Sequence, residues 1–307
     1  DAVWADDFHH EVRRLVAGDA DGYYRDFTGT VTDLAQTINE GWFYRGQYSE
    51  HLGAPRGTDP TALAPHRFIV CIQNHDQVGN RARGDRLNHD VDPAVFRAIS
   101  ALLLWVPETP LLFMGQEWAA GTPFLYFTDH HADLGRLVTE GRRNEFRHFA
   151  RFADPAAAAQ IPDPQAPSTF EASRLQWDER DREPHAAMLR LYRALIALRR
   201  HEPALRRDDR SRFSATALEP DMLLLRREAP DGSGLLAVFR FRGSGPVEIR
   251  AHLAPTGNAG GHPSWVPLLT TEDPRFAPDA MPLMVEIAEQ TLTVDFPRPG
   301  AVVFRTA

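Results

Sequence analysis

The chain has one cysteine, Cys71, in 307 residues, so no internal disulfide can form. That excludes the disulfide-stapled secreted scaffolds and fits a reducing compartment, which makes the cytoplasm the expected location. Cys71 lies in an apolar run, Phe68–Ile72, where it reads as a small core residue. No apolar run is long enough to span a bilayer, and nothing reads as a signal peptide. Basic residues are outnumbered, 34 against 42 acidic, giving a net charge of -8 and a pI of about 5.9. This balance, with Asp, Glu and Arg interspersed, argues against nucleic acid or an anionic membrane as partner. There is also no start methionine. Asp1 runs directly into DAVWADDFHH with no lead-in and no cap, so the chain reads as beginning inside a domain.

What is present suits a soluble globular protein: 43% hydrophobic and 25% charged residues, in a chain long enough for a large core and two domains. The central stretch is FIVCIQNHDQVGN, Phe68–Asn80. Phe68–Ile72 is rich in β-formers without alternation, as expected of a parallel strand buried on both faces. It ends in Gln73, Asn74, His75, Asp76 and Gln77, a crowd of hydrogen-bonding side chains at a strand's C-terminal end. In parallel α/β barrels, chemistry is placed at that edge. The alternative reading is a strand-to-loop corner in which Asn74 and Asp76 satisfy local amides.

Along the chain, Asp1–Trp4 predicts a short strand with Asp6, Asp7, His9 and His10 at its end, then a helix through Val12, Leu15 and Val16 to Gly18. Thr30 with Asp33 predicts a capped helix to Gly41. Trp42–Pro60 is too aromatic for a plain connector and reads as a binding loop. Asp92-Pro93 opens a helix to Leu103. Leu111–Met114 predicts a third strand, ending in Gly115, Gln116 and Glu117. Three such strands alternating with helices point to a parallel α/β architecture, yet are too few to close an eight-stranded barrel. Residues 129–187 read as irregular. A helix follows with an apolar stripe of Met188, Leu191, Tyr192 and Leu195. Its arginines, Arg190, Arg193, Arg199 and Arg200, read as a solvated face. Strand-like runs Met222–Arg227, Leu235–Phe241, Val247–Ala251, Trp265–Leu269, Val285–Ile287, Thr291–Phe296 and Val302–Arg305 then predict a separate all-β sandwich, with a hairpin at Asp231-Gly232.

These residues carry a resemblance. QNHDQVGNR (Gln73–Arg81) resembles the motif after the seventh barrel strand of the α-amylase superfamily, glycoside hydrolase family 13. TPLLFMGQEW (Thr109–Trp118) is similar to its eighth strand, MLRLYRALIALRRHEPAL (Met188–Leu205) to its last barrel helix, and the β tail to its C-terminal sandwich. DAVWADDFHH, QNHDQVGNR and FLYFTDH (Phe124–His130) look most like the members that release trehalose from malto-oligosyltrehaloses. The resemblance implies the C-terminal part of a (β/α)8 TIM barrel, strands six to eight, over residues 1–209. An all-β sandwich domain would occupy 210–307.

It also implies a retaining α-glucan hydrolase that cleaves the α-1,4 bond next to a terminal trehalosyl unit, needing no cofactor and no metal. Asp76 matches the family's third acid, the transition-state stabiliser, and His75 the histidine that hydrogen-bonds the sugar. By the same pattern the nucleophile and general acid follow strands four and five, upstream of Asp1. The missing N-terminal barrel half is therefore an expected partner, and this segment alone is expected to be inactive. Glu117 follows the wrong strand and Glu108 precedes it, so neither fills those roles. Substrate-binding candidates are His75, Asn74, Gln73, Asp7, His10, Tyr126 and Phe124. For Asp6 and Asp7 the competing reading is capping of the helix that follows. For the aromatics it is loop packing. His9, His10 and His75 lack the thiol companions and common direction of a metal site. The alternatives are a glycogen branching or debranching enzyme, or a non-catalytic glucan-binding fragment.

Overall fold

The computed structural model describes residues 1–146, 160–206, 209–249, 265–288 and 291–306. Three parallel strands, β1 (Val3–Trp4), β4 (Phe68–Val70) and β5 (Thr109–Pro110), form one sheet with β4 in the middle. Val3 pairs with Phe68, and Ile69 with Thr109. The third strand therefore lies two residues earlier than Leu111–Met114. Pro110, which has no amide to donate, is tolerated there because Val70 bonds to its neighbours and not to it. Leu111 N still reaches Val70 O at 2.8 Å before the chain turns into the 3-10 segment Gln116–Trp118. Between β1 and β4 stands a two-stranded hairpin of β2 (Arg45–Ser49) and β3 (Ala54–Gly57), within the aromatic segment Trp42–Pro60. Gly57 adopts φ +78°, and a Cβ there would lie 1.8 Å from the Tyr44 carbonyl oxygen, so only glycine fits.

The helices follow their caps. α1 (Asp6–Ala17) ends at Gly18 in the left-handed region. Its N-cap is Ala5, without a side-chain bond, so the capping role considered for Asp6 and Asp7 does not occur. α2 (Val31–Glu40) is capped by Thr30, whose hydroxyl accepts from Asp33 N. α3 (His75–Gly79) and α4 (Leu87–Asp90) are short. α5 (Pro93–Trp105), capped by Asp92, is buried from Ala94 to its end, as expected of a helix apolar on every side. α6 (Ala132–Phe146) and α7 (Pro167–Ala172) occupy the stretch read as irregular. Residues 147–159 of that stretch lie outside the described residues. α8 (His185–His201) carries the expected apolar stripe.

The β tail forms two antiparallel sheets. One has the order β10 (Trp265–Thr270), β13 (Gly300–Thr306), β8 (Gly234–Arg240), β7 (Met222–Glu228), β6 (Phe213–Glu219). The other has the order β11 (Met284–Ala288), β12 (Thr291–Phe296), β9 (Gly245–Ile249). The end of the expected strand at Ala251 lies outside the described residues. The five-stranded sheet is not separate from the helices. Leu223, Leu225, Ala237, Phe239 and Val303 join the same core as α2 and α5. Their neighbours Met222, Leu224, Val238, Val302 and Phe304 face the smaller sheet. Period-two alternation thus buries both faces, and β8 is buried along its whole length.

The sequence has no lysine, so all 34 of its permanently cationic side chains are arginines. Several are spent inside, where the planar fork donates to carbonyls at element ends. Arg199 donates to Leu104 O and Val106 O at 2.9 and 2.7 Å, so it is no part of a solvated face. Arg227, on β7, donates to Trp105 O at 2.8 Å and Leu205 O at 3.2 Å, tying the sheet to α5. Between α5 and α8 a buried polar chain runs from Gln116 Nε2 to Tyr192 Oη (2.7 Å) and from that hydroxyl to Ser100 Oγ (3.0 Å).

Candidate active site

The site is built at the end of the middle strand. After Val70 the chain stays buried through Cys71 and Ile72, then Asn74 turns it into α3 by accepting from Gln77 N at 2.7 Å. Gln73 and Asn74 are only 1% and 2% exposed. Gln73 Oε1 accepts from Leu87 N at 3.0 Å, so both side chains organise backbone. His75 and Asp76 sit in the first turn of α3 and are exposed. The His75 ring meets Trp4 edge-on at 6.0 Å. Asn80 Nδ2 donates to Asp76 Oδ1 at 2.7 Å.

Residues from the end of β1 come up beside this turn. Burial raises the pKa of the Asp6 carboxyl; His10 opposes the rise, while the nearby charges of Asp76 and Asp7 add to it. Asp7 has a different task. Its Oδ2 accepts from Phe43 N and Tyr44 N at 3.0 and 3.1 Å, and its Oδ1 from Arg56 Nη2 at 3.0 Å. It therefore pins the start and the return of the hairpin. Arg56 in turn lies over the Tyr44 and Phe27 rings. His10 is packed among Tyr23, Tyr24 and Phe27, with centroids 4.9 to 5.2 Å away, and burial lowers its pKa, keeping the ring neutral. Tyr23 Oη reaches Gln77 Oε1 at 3.2 Å.

The FLYFTDH segment reaches the other end of α3. The ring of Phe124 lies 3.7 Å from where a Cβ on Gly79 would stand. Tyr126 carries the Arg142 guanidinium 4.6 Å above its ring. His75, Asp76 and Asp6 thus come together at one strand edge, with His10 behind them. Asn74, Gln73, Phe124 and Tyr126 contact the backbone or packing that supports the turn.

Three further residues had no sequence signal of their own. Arg56 lies in a hairpin, Tyr23 in a 3-10 turn, and Arg142 on a helix without an apolar stripe. Asn80 was visible only as part of the motif. Beside Asn80 is a pocket of about 310 Å3 lined by Asp21, Tyr23, Tyr24, Arg81, Asp85 and Glu145, among others. Among the described residues no group of three or more His, Cys, Asp or Glu is placed to hold a metal ion. No described helix is long and apolar enough to cross a membrane.

No family profile matches the chain. Relatives are nonetheless clear. A malto-oligosyltrehalose trehalohydrolase of Deinococcus radiodurans is 45% identical over 241 residues, covering 77% of this chain and 39% of that protein. One from Arthrobacter ramosus is 40% identical over 260 residues, covering 83% of this chain and 40% of its own length. The chain thus spans about two fifths of the length of these curated relatives, within their C-terminal portion. Among solved structures, a putative α-amylase from Salmonella typhimurium superposes over the whole chain with TM-score 0.78 and 32% identity, and 47% of that chain is covered. A pullulanase from Paenibacillus barengoltzii, at 17% identity and TM-score 0.55, shares the fold.

Proposed function

The chain is a relative of the malto-oligosyltrehalose trehalohydrolases, within the α-amylase superfamily, and on that premise we propose that it carries the strand-seven side of a glucan-cleaving site. The reaction is hydrolysis of the α-1,4 bond beside a terminal trehalosyl unit, with retention, releasing trehalose. A retaining glycosidase needs a nucleophile and a general acid roughly 5 Å apart on either side of the bond. In this reading both are supplied by barrel strands outside these 307 residues, and Asp76 serves the step they perform. As the sugar flattens and gains positive charge, a fixed carboxylate near the ring stabilises that charge more than the ground state. His75 holds a sugar hydroxyl beside it.

The observation that carries the reading is the setting of Asp76. It is an exposed carboxylate in the first turn after the middle parallel strand, with one oxygen held by Asn80. Units of 1–209 and 210–307, and a cytoplasmic location, complete the proposal; the buried lone thiol supports a reducing compartment.

The test has two arms. The chain alone, and the chain joined to the preceding part of the Deinococcus radiodurans relative, are assayed for trehalose release from maltotriosyltrehalose. The joined protein should release trehalose and the chain alone should not. Release of maltose or glucose instead, or branching of a glucan, would overturn the assignment.

A further inference from the structure

We propose that Arg142, on α6, is a positioning residue for Asp76. The inference rests on the role proposed above for that carboxylate.

α6 is mostly exposed along its length. Only Gly135, Arg142 and Phe146 of its fifteen residues are buried. A long, flexible, charged side chain is the least expected member of that set, because burying a guanidinium costs free energy unless its donors are used. Arg142 uses them on one short piece of backbone. Its Nη2 donates to Gly79 O at 2.7 Å and to Arg81 O at 2.9 Å. Those two carbonyls flank Asn80.

Asn80 is the residue that addresses Asp76. Its amide N donates to Asp76 O at 2.9 Å, closing the last turn of α3, and its side-chain Nδ2 donates to Asp76 Oδ1 at 2.7 Å. A rotation of the backbone around Asn80 would swing Nδ2 away from the carboxylate. The guanidinium ties the 79–80 peptide to the 81–82 peptide, so the segment between them, which carries Asn80, is held at both ends.

The guanidinium is itself fixed. Its carbon lies 4.6 Å from the centroid of Tyr126 and 5.2 Å from that of Phe146, two cation-π contacts that favour arginine over lysine. From the other side, the Arg81 side chain is anchored through Nη1 to Asp19 Oδ2 at 3.1 Å and through Nη2 to Asp90 Oδ2 at 3.3 Å. Two independent anchors therefore converge on the segment that carries Asn80, one from α6 and one from the loop after α1. Anchoring of this kind matters because a displacement of about 1 Å in a reacting group can cost about 100-fold in rate. The same geometry assigns Tyr126 to the clamp.

The experiment uses the joined protein that hydrolyses maltotriosyltrehalose. Arg142→Met keeps an apolar stem against the two rings and removes every donor; Arg142→Lys restores a charge without the fork. We expect Arg142→Met to lower kcat by roughly 10- to 100-fold with KM changed by less than about threefold, and Arg142→Lys to fall between. Placed on top of Asp76→Asn, Arg142→Met should change the residual kcat by less than about twofold, because the group it positions is already gone. A merely structural role would give the same fold loss in both backgrounds. Hydrogen exchange of the peptide spanning residues 77–84 should quicken in Arg142→Met and in Arg142→Lys. An unchanged kcat, an equal loss with and without Asp76, or unchanged exchange overturns the proposal. If the parent protein releases no trehalose, the functional reading fails, and the exchange measurement still decides the clamp.

Discussion

Asn80 and Asp76 are one helical turn apart, and the 2.7 Å bond from Asn80 Nδ2 commits one oxygen of Asp76, while the other has no hydrogen bond among the described residues. A carboxylate held in this way does not have to reorganise when charge develops opposite it, which is the condition for electrostatic stabilisation of a transition state. Asp76→Asn in the joined protein should therefore lower kcat by roughly 100- to 1,000-fold or more while substrate still binds. Asn80→Ala should give a smaller loss of the same kind. Steady-state kinetics on maltotriosyltrehalose decides it: a near-normal kcat in Asp76→Asn removes the residue from the mechanism.

Asp7 accepts two backbone amides and one guanidinium. Asp7→Ala leaves the amides of Phe43 and Tyr44 without their acceptor and should destabilise the fold by about 2–4 kcal/mol. Asp7→Asn keeps one acceptor and should cost less. Urea titration monitored by tryptophan fluorescence measures both. If Asp7 instead binds substrate, stability will hold and KM will rise.

Glu272 gathers Arg97 from α5 and Arg298 from the β tail. Its Oε1 accepts from Arg97 Nη2 at 2.8 Å, and its Oε2 from Arg298 Nε at 2.8 Å and from Met281 N at 3.1 Å. Arg97 is 4% exposed and, among the described residues, would be left facing only the exposed Asp279. Glu272→Ala should cost about 3–5 kcal/mol, the penalty of stranding a buried charge. A denaturation midpoint unchanged from the parent would show that the junction does not depend on this pair.

Glu108 is fully buried next to α5, and its carboxyl oxygens have no hydrogen-bond partner among the described residues. Burial pushes its pKa up to about 8, with Arg227, Arg210 and Arg199 only partly opposing. Burial likewise pushes Glu11 up to about 8. Both groups keep their proton in the folded chain after the unfolded chain has lost it, so the folded state binds more protons between about 4.5 and about 8. Their contribution to stability is present below that window and is lost as pH rises through it. Glu108→Gln removes one such proton. Its urea midpoint should fall less than the parent's between about pH 5 and about pH 8.5; an identical fall would mean that Glu108 ionises freely in the folded state.

How far the sequence determines the structure varies by element. The caps at Thr30 and Asp92 and the stop at Gly18 act locally, through one side chain or one missing Cβ, so the spacing alone reveals them. β7 and β8 were readable because burial on both faces makes them largely apolar, and β12 because TLTVDF alternates with period two. β6 was not, since FSATALE alternates small and polar residues and its pairing with β7 is a tertiary fact. α6 was missed because its inward side is a glycine, an arginine and a phenylalanine, with no stripe to find. The same cause hid Arg142 and Arg199, whose partners are carbonyls distant in sequence. At the site, the motif disclosed the carboxylate and the histidine. That Asp7 serves the hairpin could come only from knowing which loop folds back on it.

The burial of Cys71 makes the chain its own stopwatch. The thiol sits between β4 and the turn that carries Asp76, 4% exposed, and burial pushes its pKa up to about 12. Thiolate, the form that reacts with disulfide reagents and alkylators, is therefore almost absent while the strand is closed. Modification must wait for an opening that takes apart the turn carrying Asp76. Because no second thiol competes, the labelling rate of an unmutated sample reports how often that turn opens, and its dependence on urea separates local fraying from global unfolding.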